Sequence, residues 1–540
     1  MLNVDMTMSQ ALRQVVSSRA GQEALVCGDA RLTYGQLLER VEALAGGLRD
    51  QGVRKGDRVV CILPPSLEYA TLFFAVAELG AVIVPLNPQV RPRQLNGVLA
   101  DARPAALVTS QPLDSEQVPA GMLVVRAGPS VLSGVPFEDL LSGGGALPEV
   151  SVVPEDLHAL LYTSGTTGRP KGAMHSHRSL IAPVVASLKV RELWTRPTQL
   201  KQLGQMAIAL ARYRERLLRV VGRPFTFLST AGWHGITGIQ VMLEALLMGD
   251  KLVVMAQFRP RECLELIQRE RVTLLVAVPM AYHVMLSLDD LDRYDTSSLV
   301  ICGTGTAPCP PELGREIQRR FGCALYIGFG ATEMGGGVAV TSLSDSSRQQ
   351  VETVGKPLPG VDIKIVDDQG RELPQGEVGE LACRGDNIML GYYQDPELSA
   401  TAVDAEGWYY TGDLARLDED GHLRIVGRKK DLIIRGGQNV YPVEIEHYLM
   451  AHPKIREVAV VGVPGGMQGE SAWAFVRLEE GMDMSAREVK DHCRAVLETY
   501  KVPDQVRFVT DFPRGEMGKA QKYRLREMAL EELKEARHER

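Results

Sequence analysis

Short runs of Val, Ile and Leu alternate with amphipathic stretches along most of the chain. "DRVVCILPP" (57–65), "AVIVPLN" (81–87), "LVVMAQF" (252–258), "VTLLVAVP" (272–279) and "LVICGTG" (299–305) carry no alternating polar face. Strands buried on both faces read this way, and they belong to parallel sheets covered by helices. "SLEYATLFFAVAELG" (66–80), ended by Gly80, and "RPRECLELIQRERV" (259–272) supply predicted helices between them. From about residue 355 the texture changes. "VDIKIVDDQG", "GELACRG" and "GHLRIVGRKKDLII" are short alternating strands with Gln-Gly and Asp-Gly turns, which predicts hairpins. After Arg435, "PVEIEHYLMAHPKIREVAVVGVP" reads as helix then strand, a small α+β unit, and a boundary is expected near 427–431. The tail "LREMALEELKEARHER" is a charged helix expected to fray at its end.

Composition narrows the class. At 540 residues the chain is long enough for two or three domains, and 53 glycines favour an enzyme rich in tight turns over a helical bundle. A net charge of −7 gives no electrostatic reason to expect a nucleic-acid partner. The eight cysteines are scattered with no CxxC pair, so neither zinc nor a disulfide framework is expected, and reduced thiols fit a cytoplasmic setting. The opening "MLNVDMTMSQALRQ" lacks the basic-then-apolar pattern of a signal peptide, and no apolar run reaches the roughly 18 residues of a spanning helix.

One stretch carries chemistry. "LLYTSGTTGRPKGAMHSH" (160–177) places six hydroxyl or glycine residues before Pro170-Lys171-Gly172. It fails the Walker A pattern twice: Pro170 stands at the second glycine, and Gly172 replaces the hydroxyl after lysine. No GxGxxG follows a strand, which removes the Rossmann reading. Thr163, Ser164, Gly165, Thr166, Thr167, Gly168 and Lys171 still suit a phosphate. Glycines let backbone N–H groups turn inward, hydroxyls add donors, and lysine adds a mobile charge. A plain Ser/Thr/Gly surface loop is the competing reading, and the length of the matched string favours the phosphate.

"YTSGTTGRPKG" resembles the signature of the adenylate-forming superfamily: acyl-CoA synthetases, firefly-type luciferases and peptide-synthetase adenylation domains. "GFGATE" (328–333), "YTGDLARLDEDGHLRIVGRKKDLIIRGGQNVYPVEIE" (410–446) and "PRGEMGK" (513–519) resemble its later motifs in the right order. The resemblance covers nearly the whole chain. It implies an α/β fold: a large multi-subdomain N-terminal domain (1–429) with mostly parallel sheets and a β-rich subdomain, and a small mobile α+β C-terminal domain (430–540). It also implies a two-step reaction. A carboxylate attacks the α-phosphate of ATP to give acyl-AMP and pyrophosphate, and a thiol then takes the acyl group.

By resemblance, Glu333 is the Mg²⁺ carboxylate and Thr332 lies beside the α-phosphate. Alone, Glu333 would read as a glutamate at a helix N-terminus. Lys519 is the lysine that neutralises acid and phosphate oxygens, although Gly515-Glu516-Met517 replaces the usual Thr-rich run. Asp413 is expected on the ribose hydroxyls, with Arg428 supporting ribose or phosphate; a turn cap and a structural ion pair are the plain readings of the two. The adenine is expected between Gly305-Thr306-Ala307 and Gly328-Phe329-Gly330, where Phe329 stands at a position commonly tyrosine. Lys430 falls at the hinge, and Arg435, Gly436 and Gly437 form the loop brought to CoA; the same loop also reads as a simple hairpin turn. Trp233, His234, Ala277, Gly303, Gly328 and Met334 are the acid-pocket candidates. His234 belongs with Lys519, Thr332 and Glu333 in the catalytic set, gating the pocket and not acting as a general base.

The interval from His177 to His234 looks longer than usual for the superfamily. In it, Leu203, Met206, Leu210, Tyr213, Leu217 and Val220 recur at helical spacing. Arg212, Arg214, Arg216 and Arg219 oppose only Glu215 on the other face. A peripheral membrane contact, a pocket lid, a dimer contact, a solvated insertion and a packed surface helix all fit. The expected protein is a cytoplasmic ATP- and Mg²⁺-dependent acid:CoA ligase, monomer or homodimer, acting on an apolar fatty or aromatic/alicyclic acid. Loading of a separate carrier-protein thiol, and a catalytically dead adenylate-binding protein, are the alternatives.

Overall fold

The computed structural model describes residues 2–113, 118–119, 121–128, 134–142, 150–164, 170–195, 200–220, 222–435, 437–465, 469–514 and 520–538. It forms two compact units. One holds Met1–Cys309, Leu313–Ile363 and Cys383–Tyr409; the other holds Pro310–Glu312, Lys364–Ala382 and Tyr410–Arg540.

The first unit is built on two sheets. The apolar runs become adjacent parallel strands: Ala324–Ala331, Ile301–Thr304, Leu274–Val276, Thr226–Ser229 and Lys251–Val254 neighbour one another in that order within a nine-stranded sheet. The second sheet has eight strands, with Val82–Pro85, Arg58–Ile62, Ala106–Thr109 and Leu123–Arg126 running parallel beyond Leu157–Ser164. Leu157–Ser164 turns back as Pro170–Ser176, an antiparallel pair that puts Thr163 opposite Lys171.

Between the strands, the helix Leu67–Glu78 shows why a polar face was missing from its sequence. Ser66 caps it by accepting from the Tyr69 N–H, and every residue from Tyr69 to Ala77 is buried. A helix apolar all round belongs in the interior. Complete burial of Phe73 and Phe74 contributes on the order of 2–3 kcal/mol each relative to exposure.

The β-rich part is a four-stranded sheet of Val361–Val366, Gly379–Gly385, Tyr409–Leu417 and Leu423–Arg428, lying mostly in the second unit. That unit continues with the hairpin Ile433–Arg435/Gln438–Val440 and a three-stranded sheet, Ile455–Pro464, Glu470–Leu478 and Gln505–Phe508. Ile433, Ile445, Leu449, Val460 and Val489 fill its core. The protein is therefore α/β, with mostly parallel sheets, a β-rich part and a C-terminal α+β part.

The amphipathic segment forms a helix, Leu200–Val220, interrupted at Tyr213 (φ −125°, ψ 22°). It packs through Ala209, Tyr213, Leu217 and Val220. Arg212 and Arg216 donate to the backbone carbonyls of Asp345 and Leu299. Leu203, Ile208 and Leu218 are exposed. Among the described residues no helix is long and apolar enough to cross a membrane, and all eight cysteines are unbridged.

Candidate active site

In the first unit, the candidates gather at the C-terminal ends of four neighbouring parallel strands. His234 and Trp233 follow Thr226–Ser229; Ala277 follows Leu274–Val276; Gly305-Thr306-Ala307 follow Ile301–Thr304; Thr332-Glu333 follow Ala324–Ala331. Loops at the carboxyl ends of parallel strands are where open α/β sheets bind ligands. Gly303 ends one contact of this row, its carbonyl accepting from the Ala277 N–H at 3.0 Å.

The loops at these strand ends need their small residues. A Cβ on Gly305 would meet the Gly328 carbonyl oxygen at 2.9 Å, and one on Gly330 would meet that of Gly336 at 1.8 Å. Thr306, a non-glycine residue, holds φ at 65°. Such left-handed strain persists only where surroundings over-determine it, and it concentrates at binding sites. Phe329 is half-buried beside them.

Glu333 sits in a single turn, Thr332–Met334, whose three successive carbonyls are all captured. His175 Nε2 donates to Thr332 O (2.8 Å), the Met389 N–H to Glu333 O (2.9 Å), and Asn387 Nδ2 to Met334 O (2.8 Å). Burial depresses His175 to about 4, so at neutral pH it is an uncharged donor on Nε2. The Glu333 carboxylate accepts from the Tyr392 hydroxyl at 3.0 Å. Among the described residues, Glu333 Oε2 has no protein partner, and neither does the Thr332 hydroxyl. One carboxylate oxygen held by a neutral donor, the other open, fits a hard oxygen-seeking cation such as Mg²⁺.

The phosphate stretch is only partly described. Gly165, Thr166, Thr167 and Gly168 lie outside the described residues, as does Lys519. Thr163 and Ser164 end the outgoing strand, Thr163 is half-buried, and Lys171 starts the return. The Lys171 ammonium lies 5.7 Å from the centre of the Tyr392 ring. Tyr162 anchors the hairpin: its hydroxyl donates to Asp101, and its ring covers Gly172, where a Cβ would sit 3.2 Å from it.

His234 is half-buried, no described residue hydrogen-bonds its ring, and burial lowers its pKa. It is a neutral imidazole. It packs so tightly on Gly232 that a Cβ there would meet the ring at 2.5 Å. Trp233 is buried, with Tyr69 donating to its carbonyl and packing edge-on at 5.3 Å. Ala277 and Met334 are buried and Gly328 half-buried.

The second unit holds the remaining candidates. Asp413 and Arg428 face each other across the strands Tyr409–Leu417 and Leu423–Arg428, with Nε 2.9 Å from Oδ1. Lys429 bridges Asp368 and Glu380, while Lys430 is exposed and forms no ion pair among the described residues. Arg435 is occupied: its guanidinium donates to the carbonyls of Tyr500 and Val502 and pairs with Asp504 at 2.5 Å. Gly437 takes φ of 79° in open space, and Gly436 lies outside the described residues.

Sequence reasoning missed His175, Asn387 and Tyr392. The signal for His175 was present, because in an extended strand it shares a face with Lys171. Nothing local marks the other two.

Parallel strands ending in glycine-lined loops, beside a rigidly held glutamate turn, define a nucleotide-using α/β enzyme. The family profile described as AMP-binding enzyme matches residues 12–393, and that of the AMP-binding enzyme C-terminal domain matches 444–519. The medium-chain acyl-CoA ligase ACSF2, mitochondrial, of Homo sapiens is 31% identical, covering 96% of this chain and 87% of that protein. A feruloyl-CoA synthase of an Amycolatopsis species is 34% identical over 92% of this chain and 94% of its own. A crystal structure of ATP-bound MatB from Rhodopseudomonas palustris matches with a TM-score of 0.83 at 29% identity, covering 97% of this chain and 99% of that one. The chain belongs to the AMP-binding enzyme family, among the AMP-forming acyl-CoA synthetases of the adenylate-forming superfamily.

Proposed function

We propose that the chain activates an apolar carboxylic acid, fatty or aromatic, as acyl-AMP and transfers it to CoA. The carrying observation is the Thr332–Glu333 turn. It is held rigid at all three carbonyls, with an open hydroxyl and an open carboxylate oxygen, at the strand ends where a nucleotide would lie.

In the first step an acid oxygen forms a bond to the α-phosphorus of ATP and the bond to pyrophosphate breaks. Negative charge builds there, and preorganised donors are worth most where charge develops. Lys171 and the backbone of Gly165–Gly168 take the outer phosphates, and Thr332 the α-phosphate. Mg²⁺, when bound, would neutralise phosphate oxygens, with Glu333 holding it. Asp413 accepts from the ribose hydroxyls. Lys519 reaches the acid and phosphate oxygens in this step only. A C-terminal domain beginning at Lys430 then turns, withdrawing Lys519 and presenting the 435–437 loop. Because Arg435 is committed to Asp504, that loop would offer CoA its glycine backbone. The thiol sulfur attacks the acyl carbon and AMP leaves. His234, neutral and adjoining an apolar wall, closes the pocket without placing a charge beside the acid.

The apolar acid is supported by Trp233, Ala277 and Met334 and by relatives named for medium-chain and feruloyl substrates. Product analysis tests it: purified protein with ATP, Mg²⁺, CoA and a panel of fatty, aromatic and alicyclic acids, read by mass spectrometry. One dominant acyl-CoA with AMP released is expected. Acyl-AMP without thioester would indicate a different acceptor. Lys519→Ala should abolish adenylation while thioester formation from supplied acyl-AMP persists; equal loss of both steps would refute this division of labour.

A further inference from the structure

The structure assigns Tyr392 a part in this reaction that its sequence gave no hint of. We propose that Tyr392 is a positioning residue for adenylation, setting both the Glu333 carboxylate and the Lys171 ammonium about the phosphates of ATP. This rests on reading Glu333 as the metal carboxylate.

The backbone of Tyr392 is built onto the phosphate hairpin. Gly391 and Tyr392 pair with Met174 and Ala173 on the strand that begins beside Lys171, and the Tyr393 N–H donates to Gly172 O at 2.8 Å. The Tyr392 N–H donates to Ser399 Oγ at 2.8 Å. Gly391 has φ of 132°, and a Cβ there would fall 2.8 Å from that same Ser399 Oγ. The residue before the tyrosine must therefore be glycine, and the ring emerges at one fixed place.

From that place one side chain serves two charges. Its hydroxyl donates to Glu333 Oε1 at 3.0 Å, and its face lies under the Lys171 ammonium at 5.7 Å. A phenol suits both tasks. It fixes a carboxylate oxygen without cancelling the carboxylate's charge, which an arginine would do. It also steadies a lysine through its ring quadrupole without consuming an N–H donor needed by phosphate. The Met389 N–H, three residues before Tyr392, fixes the Glu333 carbonyl at 2.9 Å. The segment 389–392 thus grips Glu333 by a main-chain N–H and by a side chain.

The test uses the full chain with Tyr392→Phe, Tyr392→Leu and Glu333→Gln. ATP binding is followed calorimetrically across a Mg²⁺ titration and again without metal. Tyr392→Phe removes the hydroxyl and keeps the ring. It should raise the Mg²⁺ concentration for half-maximal ATP binding by about tenfold, the low end of what groups orienting metal ligands are worth, with metal-free ATP affinity unchanged. Tyr392→Leu should show the same shift and, in addition, severalfold weaker metal-free binding, because Lys171 loses its platform. A Glu333→Gln shift with a Tyr392→Phe curve that superimposes on wild type would overturn the proposal alone. Superimposing curves for Glu333→Gln would overturn the metal assignment and the proposal together. A Tyr392→Phe protein that binds less ATP per chain at an unchanged Mg²⁺ midpoint would reduce Tyr392 to a merely structural residue, which also overturns it.

Discussion

Two carboxylates, each in its own unit, are held in opposite ways. Glu333 leans on a neutral phenol and keeps one oxygen open. Asp413 is 5% exposed and already paired with Arg428 at 2.9 Å. The difference suits what each is proposed to bind. A cation needs uncancelled negative charge, so its ligand is best oriented by a neutral donor. Ribose hydroxyls are neutral donors, so a charged acceptor strengthens their hydrogen bonds even when a guanidinium fixes its geometry. A carboxylate's partner therefore hints at its ligand's charge.

The largest effect should come from removing the charge that the phenol preserves. Glu333→Gln should lower the rate of acyl-AMP formation by about 10²–10³-fold, the scale of losing one preorganised electrostatic group. Single-turnover pyrophosphate release measures it, and a loss confined to KM for ATP would break the contrast. Asp413→Asn comes next. Hydrogen bonds to a charged acceptor are worth roughly 1.5–3 kcal/mol, so kcat/KM for ATP should fall by about 10–100-fold. The decisive readout is dATP: the wild-type preference for ATP over dATP should narrow in the variant, since the lost contact is to ribose. An undiminished preference would return Asp413 to a structural cross-strand ion pair.

The two sites were not equally legible in the sequence. Glycines at the ends of apolar runs announced the tight strand-end loops, because only glycine allows backbone approaches as close as Gly330 to Gly336. The Asp413–Arg428 pair sits on neighbouring strands of one hairpin, close enough in sequence to be read with its motif. Tyr392 and Glu333 are 59 residues apart, and His175 and Thr332 are 157 apart. Such contacts depend on which strands neighbour one another in a sheet, and no local pattern carries that. The basic helix teaches the same lesson. Arg212 and Arg216 read as part of the basic face of an amphipathic helix, and in the structure both donate to carbonyls of residues 133 and 83 positions away.

A third carboxylate sharpens the comparison by showing what burial does when only a hydroxyl helps. Glu244 accepts from Ser187 Oγ at 2.7 Å, and burial pushes its pKa up to about 7 from 4.5, the Ser187 bond opposing and nearby Asp250 adding. Its folded-state pKa is raised, so the stability it contributes is fully present below about 4.5 and is lost as pH rises through about 7. Glu244→Gln keeps an acceptor for Ser187 and removes the titration. Unfolding free energy should then lose a downward drift on the order of 3 kcal/mol across that window. The buried imidazole of His175, depressed to about 4, acts in the opposite direction as pH falls below its ordinary 6.5. The measurement is therefore the difference between variant and wild type at each pH, in which the histidine contribution cancels.

The smallest effect should be Arg428→Ala. Its side chain is 53% exposed while that of Asp413 is 7% exposed, so the guanidinium offers a screened, solvated charge to a nearly enclosed partner. Exposed ion pairs are worth about 0.2–1 kcal/mol, which predicts a loss of less than about fivefold in kcat/KM for ATP, shrinking further in high salt. If the guanidinium merely orients Asp413, the double variant Asp413→Asn/Arg428→Ala should be no worse than Asp413→Asn alone, since nothing is left to orient. If instead Arg428 reaches a phosphate itself, the two losses should multiply and the single Arg428→Ala loss should weaken with salt far more steeply. That outcome would make Asp413 and Arg428 two separate ligand contacts, and it would break the contrast with Glu333, because Arg428 would then be a ligand group in its own right and not a partner that orients a carboxylate.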